Sequence, residues 1–159
     1  MATEAQYKFF KDLYDEESKR YSELDGKAKL YITIITFYLG AIAFKFKDVL
    51  DFTSSISYTK WLYSAIALVL VGALLFTVNA MRIRVFEGIN DPEEIIKGFG
   101  KKPPTDDDFR DDRIADLAVA TKRNSGQNDR IAKSLSFASL WIFSAGLIQF
   151  CLFLIALLK

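Results

Sequence analysis

The sequence predicts an all-α integral membrane protein with three transmembrane helices and two helical cytosolic extensions that form a stalk. Three uncharged runs carry that prediction: 22 residues at 137–158, 20 at 61–80 and 15 at 30–44. A helix rises about 1.5 Å per residue, so about 20 residues cross a hydrocarbon core of about 30 Å. The overall hydrophobic content of 51% is that of an ordinary globular chain. The charges, however, are kept out of these runs and gathered between them. The expected organisation is an N-terminal amphipathic helix at 1–29, a first span at 30–46, an outer loop at 47–60, a second span at 61–81, a cytosolic helical region at 82–134 and a third span at 135–158.

Residues 1–29 read as one helix. Tyr7, Phe10, Tyr14, Glu17, Tyr21, Leu24, Ala28 and Tyr31 recur at alternating steps of three and four, the stripe of a packed helix pair. Glu17 interrupts an otherwise apolar seam. The polar face mixes Lys8, Lys11 and Arg20 with Asp12, Asp15 and Glu16, whereas a helix lying on lipid headgroups calls for a basic face. The acids and the late start of the first apolar run also disfavour a cleaved signal peptide.

The first span is short, and lysines bound it: Lys27 and Lys29 before, Lys45 and Lys47 after. Their stems snorkel toward the interface. Ser54, Ser55 and Ser57 favour a tight connection, and Tyr58, Trp61 and Tyr63 read as an interfacial aromatic belt. In the polar region, Asn90 or Asp91 with Pro92 reads as a helix start, 101–104 (KKPP) as a breaker, and Thr105 as the cap of a final helix with three acids in its first turn. From there Ile114, Leu117, Thr121, Asn124, Asn128, Ile131, Leu135 and Ala138 continue the three-four alternation into the last span. Gly126 is the expected place for a bend.

Lys and Arg number six in residues 1–29, eleven in 81–134, three in 45–60 and one at the C-terminus. The positive-inside rule therefore puts the N-terminus and the 82–134 region in the cytosol and the C-terminus outside. Both cytosolic helices then run toward the membrane in parallel, and their stripes meet within one protomer or across protomers. Asn124 and Asn128, polar at the centre of the second stripe, are of the kind that fixes register and oligomer number.

The chemistry expected of such a chain is not enzymatic. There is no histidine, and Cys151 is the single cysteine, so disulfide frameworks and the commonest general base are absent. No phosphate loop or nucleophile elbow occurs. No cofactor, metal or nucleic acid is expected. The acids Asp106, Asp107, Asp108, Asp111 and Asp112 answer the helix dipole more economically than a metal. Lys101, Lys102, Arg110 and Arg113 flank a helix start, the arrangement here best suited to an anionic ligand. Gln149, near the middle of the last span, calls either for an interhelical hydrogen bond or for a place lining a pore among identical neighbours.

Two stretches carry a family resemblance: ELDGKAKLYITIITFYLGAI at 23–42, with Asp25, Lys27 and Ala28 ahead of the span, and NDRIAKSLSFASLWIFSAG at 128–146, with Lys133 ahead of the last. In these residues and in the order of its parts the chain resembles the Pycsar-type transmembrane effectors of bacterial anti-phage systems. It is also similar to the SMODS-and-SLOG-associating membrane effectors. The resemblance implies a homo-oligomeric inner-membrane effector that impairs the lipid bilayer when a nucleotide second messenger, such as a cyclic nucleotide, triggers it. No cyclic-nucleotide-binding domain is recognisable in the sequence. The other expectation is a non-conducting adaptor whose stalk recruits a soluble partner.

Overall fold

In the computed structural model, residues 3–44, 57–83, 86–89, 93, 97–98 and 105–158 are described, without the side chains of residues 57–60 and 156. The chain forms three long helices in order: α1 (Glu4–Phe44), α2 (Ser57–Arg82) and α3 (Asp106–Leu157). Among the described residues there is no strand. Each helix is long and apolar enough to cross a membrane. Most of the outer loop, the helix start at 90–92, the breaker at 101–104 and with it Lys101 and Lys102 lie outside the described residues.

Both outer helices open with a reciprocal cap. At α1 the Thr3 hydroxyl accepts the Gln6 N–H at 3.3 Å, and the Gln6 side chain accepts the Thr3 N–H at 2.8 Å. At α3 Thr105 does the same with Asp108: its hydroxyl accepts the Asp108 N–H at 3.2 Å and donates to the carboxylate at 2.6 Å. Such boxes satisfy helix-end donors that have no intrahelical partner. The first cap escaped the sequence reading; Thr105 was legible from the acids behind it.

No break occurs at Gly126, since α3 runs continuously through it. Gly126 lies on the exposed face with open space around it. Its helix cost of about 1 kcal/mol is outweighed by the buried residues on the opposite face. Gly26 likewise leaves α1 continuous. The helix α2 starts at Ser57, inside the range expected for the outer loop, because the last charge before the apolar run marks the run and not the helix start.

The chain divides into two compact units, Met1–Leu24 with Arg84–Arg130, and Asp25–Ile83 with Ile131–Lys159. The second is a three-helix bundle. Its core is Ile35 from α1, Ile66, Leu70 and Ala73 from α2, and Ala145 and Leu152 from α3. On α2 the buried Ile66, Leu70, Ala73, Thr77 and Ala80 keep the alternation of four and three that knobs-into-holes packing requires. Small residues bring the helices close. The extreme case is Gly72, where an added Cβ would stand 2.6 Å from the Trp141 ring. Phe76 stacks on Phe137 with centroids 5.4 Å apart, and the Asn79 amide donates to the Ser134 hydroxyl at 3.1 Å. Large apolar side chains also point outward: Phe37 is 77% exposed, Leu68 71% and Phe143 67%. A bundle apolar both inside and out suits a hydrocarbon surround.

The contact at Gly72 gives a direct expectation. Gly72→Ala forces the Trp141 indole off its rotamer and destabilises the bundle by about 1–3 kcal/mol. Adding Trp141→Leu, which removes the ring, recovers part of that loss. Thermal unfolding in detergent, followed by helical ellipticity, reads both.

Candidate functional site

The first unit inverts that pattern. Charged side chains cover its outside, and its centre mixes Leu24, Leu117 and Ala120 with the buried amides of Asn124 and Asn128. Residues 4–24 of α1 and 106–130 of α3 run parallel, and the four-residue stretch 86–89 lies against both. On α1 the stripe read from the sequence is the buried or half-buried face: Tyr7, Phe10, Tyr14, Glu17, Tyr21 and Leu24. On α3 it is Ile114, Leu117, Thr121, Asn124 and Asn128.

Asn124, fully buried, engages both backbone polar groups of one residue. Its side-chain oxygen accepts the Glu87 N–H at 2.8 Å, and its Nδ2 donates to the Glu87 carbonyl at 3.1 Å. One primary amide thus gives a non-helical residue the donor and acceptor that a neighbouring strand would supply. The Tyr14 hydroxyl donates to the same carbonyl at 3.3 Å. The Glu87 carboxylate takes a hydrogen bond from Arg123 at 2.7 Å. The Phe86 ring sits near both Tyr14 and Tyr21, centroids 5.6 and 5.2 Å away.

One turn along α3, Asn128 joins the two helices directly. Its Nδ2 donates both to the Glu17 carbonyl at 2.9 Å and to the Glu17 carboxylate at 2.7 Å. The two acceptors dictate the orientation of the amide, because a flipped amide would set oxygen against oxygen. Among the described residues, the Asn128 side-chain oxygen is then left buried with no hydrogen-bond partner, and the Thr121 hydroxyl is in the same condition. Arg20 pairs with Asp129 at 2.6 Å, but these side chains are 40% and 65% exposed, and solvent-screened pairs contribute little. The buried amides therefore dominate the seam.

Burial raises the Tyr14 phenol above its ordinary value. Asp15 adds to the shift, while Arg113 and the Ile89 backbone amide oppose it.

The structure gathers part of the expected ligand set. Arg110 and Arg113 line a pocket of about 260 Å³ together with Tyr7, Asp106 and Phe109, and Arg110 lies 3.7 Å from Asp107. A larger cavity, about 420 Å³, lies beside the clamp and is lined by Glu87, Gly88, Ile89, Asp116, Val119 and Arg123 among others. Asn124 and Asn128, expected to govern assembly, are engaged within their own chain. Gln149 belongs to the other unit, where it is half-buried. Among the described residues no cluster of His, Cys, Asp or Glu is arranged to hold a metal.

Phe86 and Glu87 escaped the sequence reading. They occupy a short non-helical stretch with no periodicity to betray them. Glu17 was visible as a break in its stripe, but its partner was not. No family model matches the chain, and neither a curated protein nor a solved structure does.

Two substitutions in the seam have opposite expected signs. Asn124→Leu orphans the Glu87 N–H, leaves its carbonyl with the Tyr14 hydroxyl alone, and lowers stability by about 1–3 kcal/mol. Thr121→Val removes a buried hydroxyl without a partner at nearly constant volume and raises stability by up to about 1 kcal/mol. Thermal midpoints of the two variants check both.

The raised Tyr14 value makes stability depend on alkaline pH. The folded state keeps the phenolic proton to higher pH than the unfolded chain. This contribution is complete below the unfolded value near 10 and is lost as pH rises through the higher folded value. Tyr14→Phe flattens the fall in thermal midpoint above about pH 10, measured against the parent chain in the same buffers.

Proposed function

We propose that this chain is a triggered membrane effector: a homo-oligomer in the bacterial inner membrane that impairs the barrier when a signal reaches its cytosolic unit. The observation that carries this reading is the contrast between the two units. One is a bundle apolar inside and out. The other has a partly polar seam in which, among the described residues, two buried atoms are left without partners, at Thr121 and Asn128. Each such atom costs roughly 1–3 kcal/mol, and a seam so compromised is easier to rearrange than a dry one. The helices α1 and α3 each supply residues to both units.

The orientation belongs to the same proposal, with the N-terminus in the cytosol and the C-terminus outside, and it rests on the Lys and Arg distribution. The setting in anti-phage defence rests on the resemblance at 23–42 and 128–146. The trigger we propose is a cyclic nucleotide, held at the start of α3 where Arg110 and Arg113 offer guanidinium groups and Tyr7 and Phe109 offer rings. Arginine suits phosphate, and aromatic faces suit bases.

The test is dye release from vesicles of bacterial lipid carrying the full-length protein, challenged with a panel of cyclic nucleotides. One nucleotide is expected to cause release, and Arg110→Glu with Arg113→Glu to abolish the response. Vesicles that stay tight with every nucleotide, together with a soluble protein co-purifying in fixed stoichiometry, would replace the effector by the adaptor reading.

A further inference from the structure

The charges of the bundle unit are gathered at one end of it. Among its described side chains the charged ones are Asp25, Lys27, Lys29, Arg82 and Lys133. They lie where α1 and α3 enter the bundle and α2 leaves it. The Asn79–Ser134 hydrogen bond sets Arg82 and Lys133 within about one turn of each other along the helix axes. Lys29 is taken by Asp25 at 2.7 Å. Lys27, Arg82 and Lys133 are exposed, and among the described residues none of the three has an ion pair or a side-chain hydrogen bond. Three positive charges are left over, and no described acid of the unit meets them.

Each of the three also heads an outward apolar stripe. On α1, Lys27 is followed by Leu30, Ile34 and Phe37. On α2, Arg82 is preceded by Val78 and Leu75. On α3, Lys133 is followed by Phe137 and Leu140. All seven apolar side chains are exposed, and steps of three and four keep each set on one helix face. Three helices thus repeat one arrangement: an unpaired cation at the head of a strip of hydrocarbon that the described chain leaves uncovered. The positive-inside rule needs only that the cations stay on one side. It does not require them to be unpaired, or in line with the outward stripes.

An amphiphile with a negative head and alkyl chains fits this arrangement. A free phosphate would meet the cations and leave the stripes bare. A zwitterionic phospholipid would cover the stripes but bring its own ammonium beside the cations. We infer that this end of the bundle binds anionic phospholipids, with headgroup phosphates at Lys27, Arg82 and Lys133 and acyl chains along the three stripes. The inference rests on the membrane reading proposed above and adds that the protein selects among lipids. A Lys or Arg beside an anionic membrane surface strengthens association about fivefold.

The test places the full-length protein in nanodiscs of equal parts phosphatidylglycerol and phosphatidylcholine, releases it into mild detergent and counts the retained lipids by native mass spectrometry. Phosphatidylglycerol is expected to be retained about tenfold over phosphatidylcholine. The triple variant Lys27→Gln, Arg82→Gln, Lys133→Gln is expected to lose that preference at unchanged helical ellipticity, whereas Lys27→Arg, Arg82→Lys, Lys133→Arg keeps it. Lys8→Gln with Lys11→Gln, in the other unit, keeps it too. Equal retention of both lipids by the parent, or a preference that survives the triple glutamine variant, would overturn the inference while leaving the membrane reading standing. Loss of the preference when chloride is exchanged for inorganic phosphate at constant ionic strength would do the same, since the ligand would then be a free anion. A chain that enters no bilayer of either lipid would remove both.

Discussion

Asn124 gripping the Glu87 backbone is the interaction on which the first unit depends. The stretch 86–89 has no helix or strand of its own, so its backbone groups need a partner that is neither water nor a ladder. A single side-chain amide provides it, and Tyr14 and Arg123 add bonds to the same residue. Phe86 is placed between two tyrosines as a result. Without Asn124 the stretch 86–89 would keep the Tyr14 and Arg123 bonds to Glu87, while α1 and α3 would still be joined by the Asn128–Glu17 bonds.

The two units solve opposite problems with one period. In the bundle the seam is apolar because the outside is apolar too, and close packing across small residues is what separates inside from outside. In the other unit the outside is charged and the seam is partly polar, which makes pairing specific at some expense of stability. The same alternation of three and four runs along α3 from Ile114 to Ala138, although the buried residue types change from amides to aliphatic groups along it.

That periodicity explains what was legible in the sequence. The helices, their apolar stretches and nearly every buried position of both stripes follow from spacing alone, because a helix must present one face to its neighbour. Thr105 was legible because acids three residues on announce a cap. The stretch 86–89 was not, since a loop that borrows its hydrogen bonds from a distant side chain leaves no local signature. Gly126 misled for a related reason: propensity is local, and the packing that outweighs it is not. For Arg110 and Arg113 the helix start was readable, whereas the aromatic company of Tyr7 comes from the other end of the chain. Asn124 and Asn128 were rightly singled out as polar residues in a seam, yet sequence cannot say whether a seam closes within one chain or between two.

The contact between Gly72 and Trp141 constrains the history of the protein as well as its packing. The order of change matters: a larger residue at 72 fits once the ring at 141 has been reduced, whereas the reverse order passes through a crowded intermediate. The contact is thus one-directional: the ring at 141 dictates the glycine at 72, while the glycine dictates nothing about the ring.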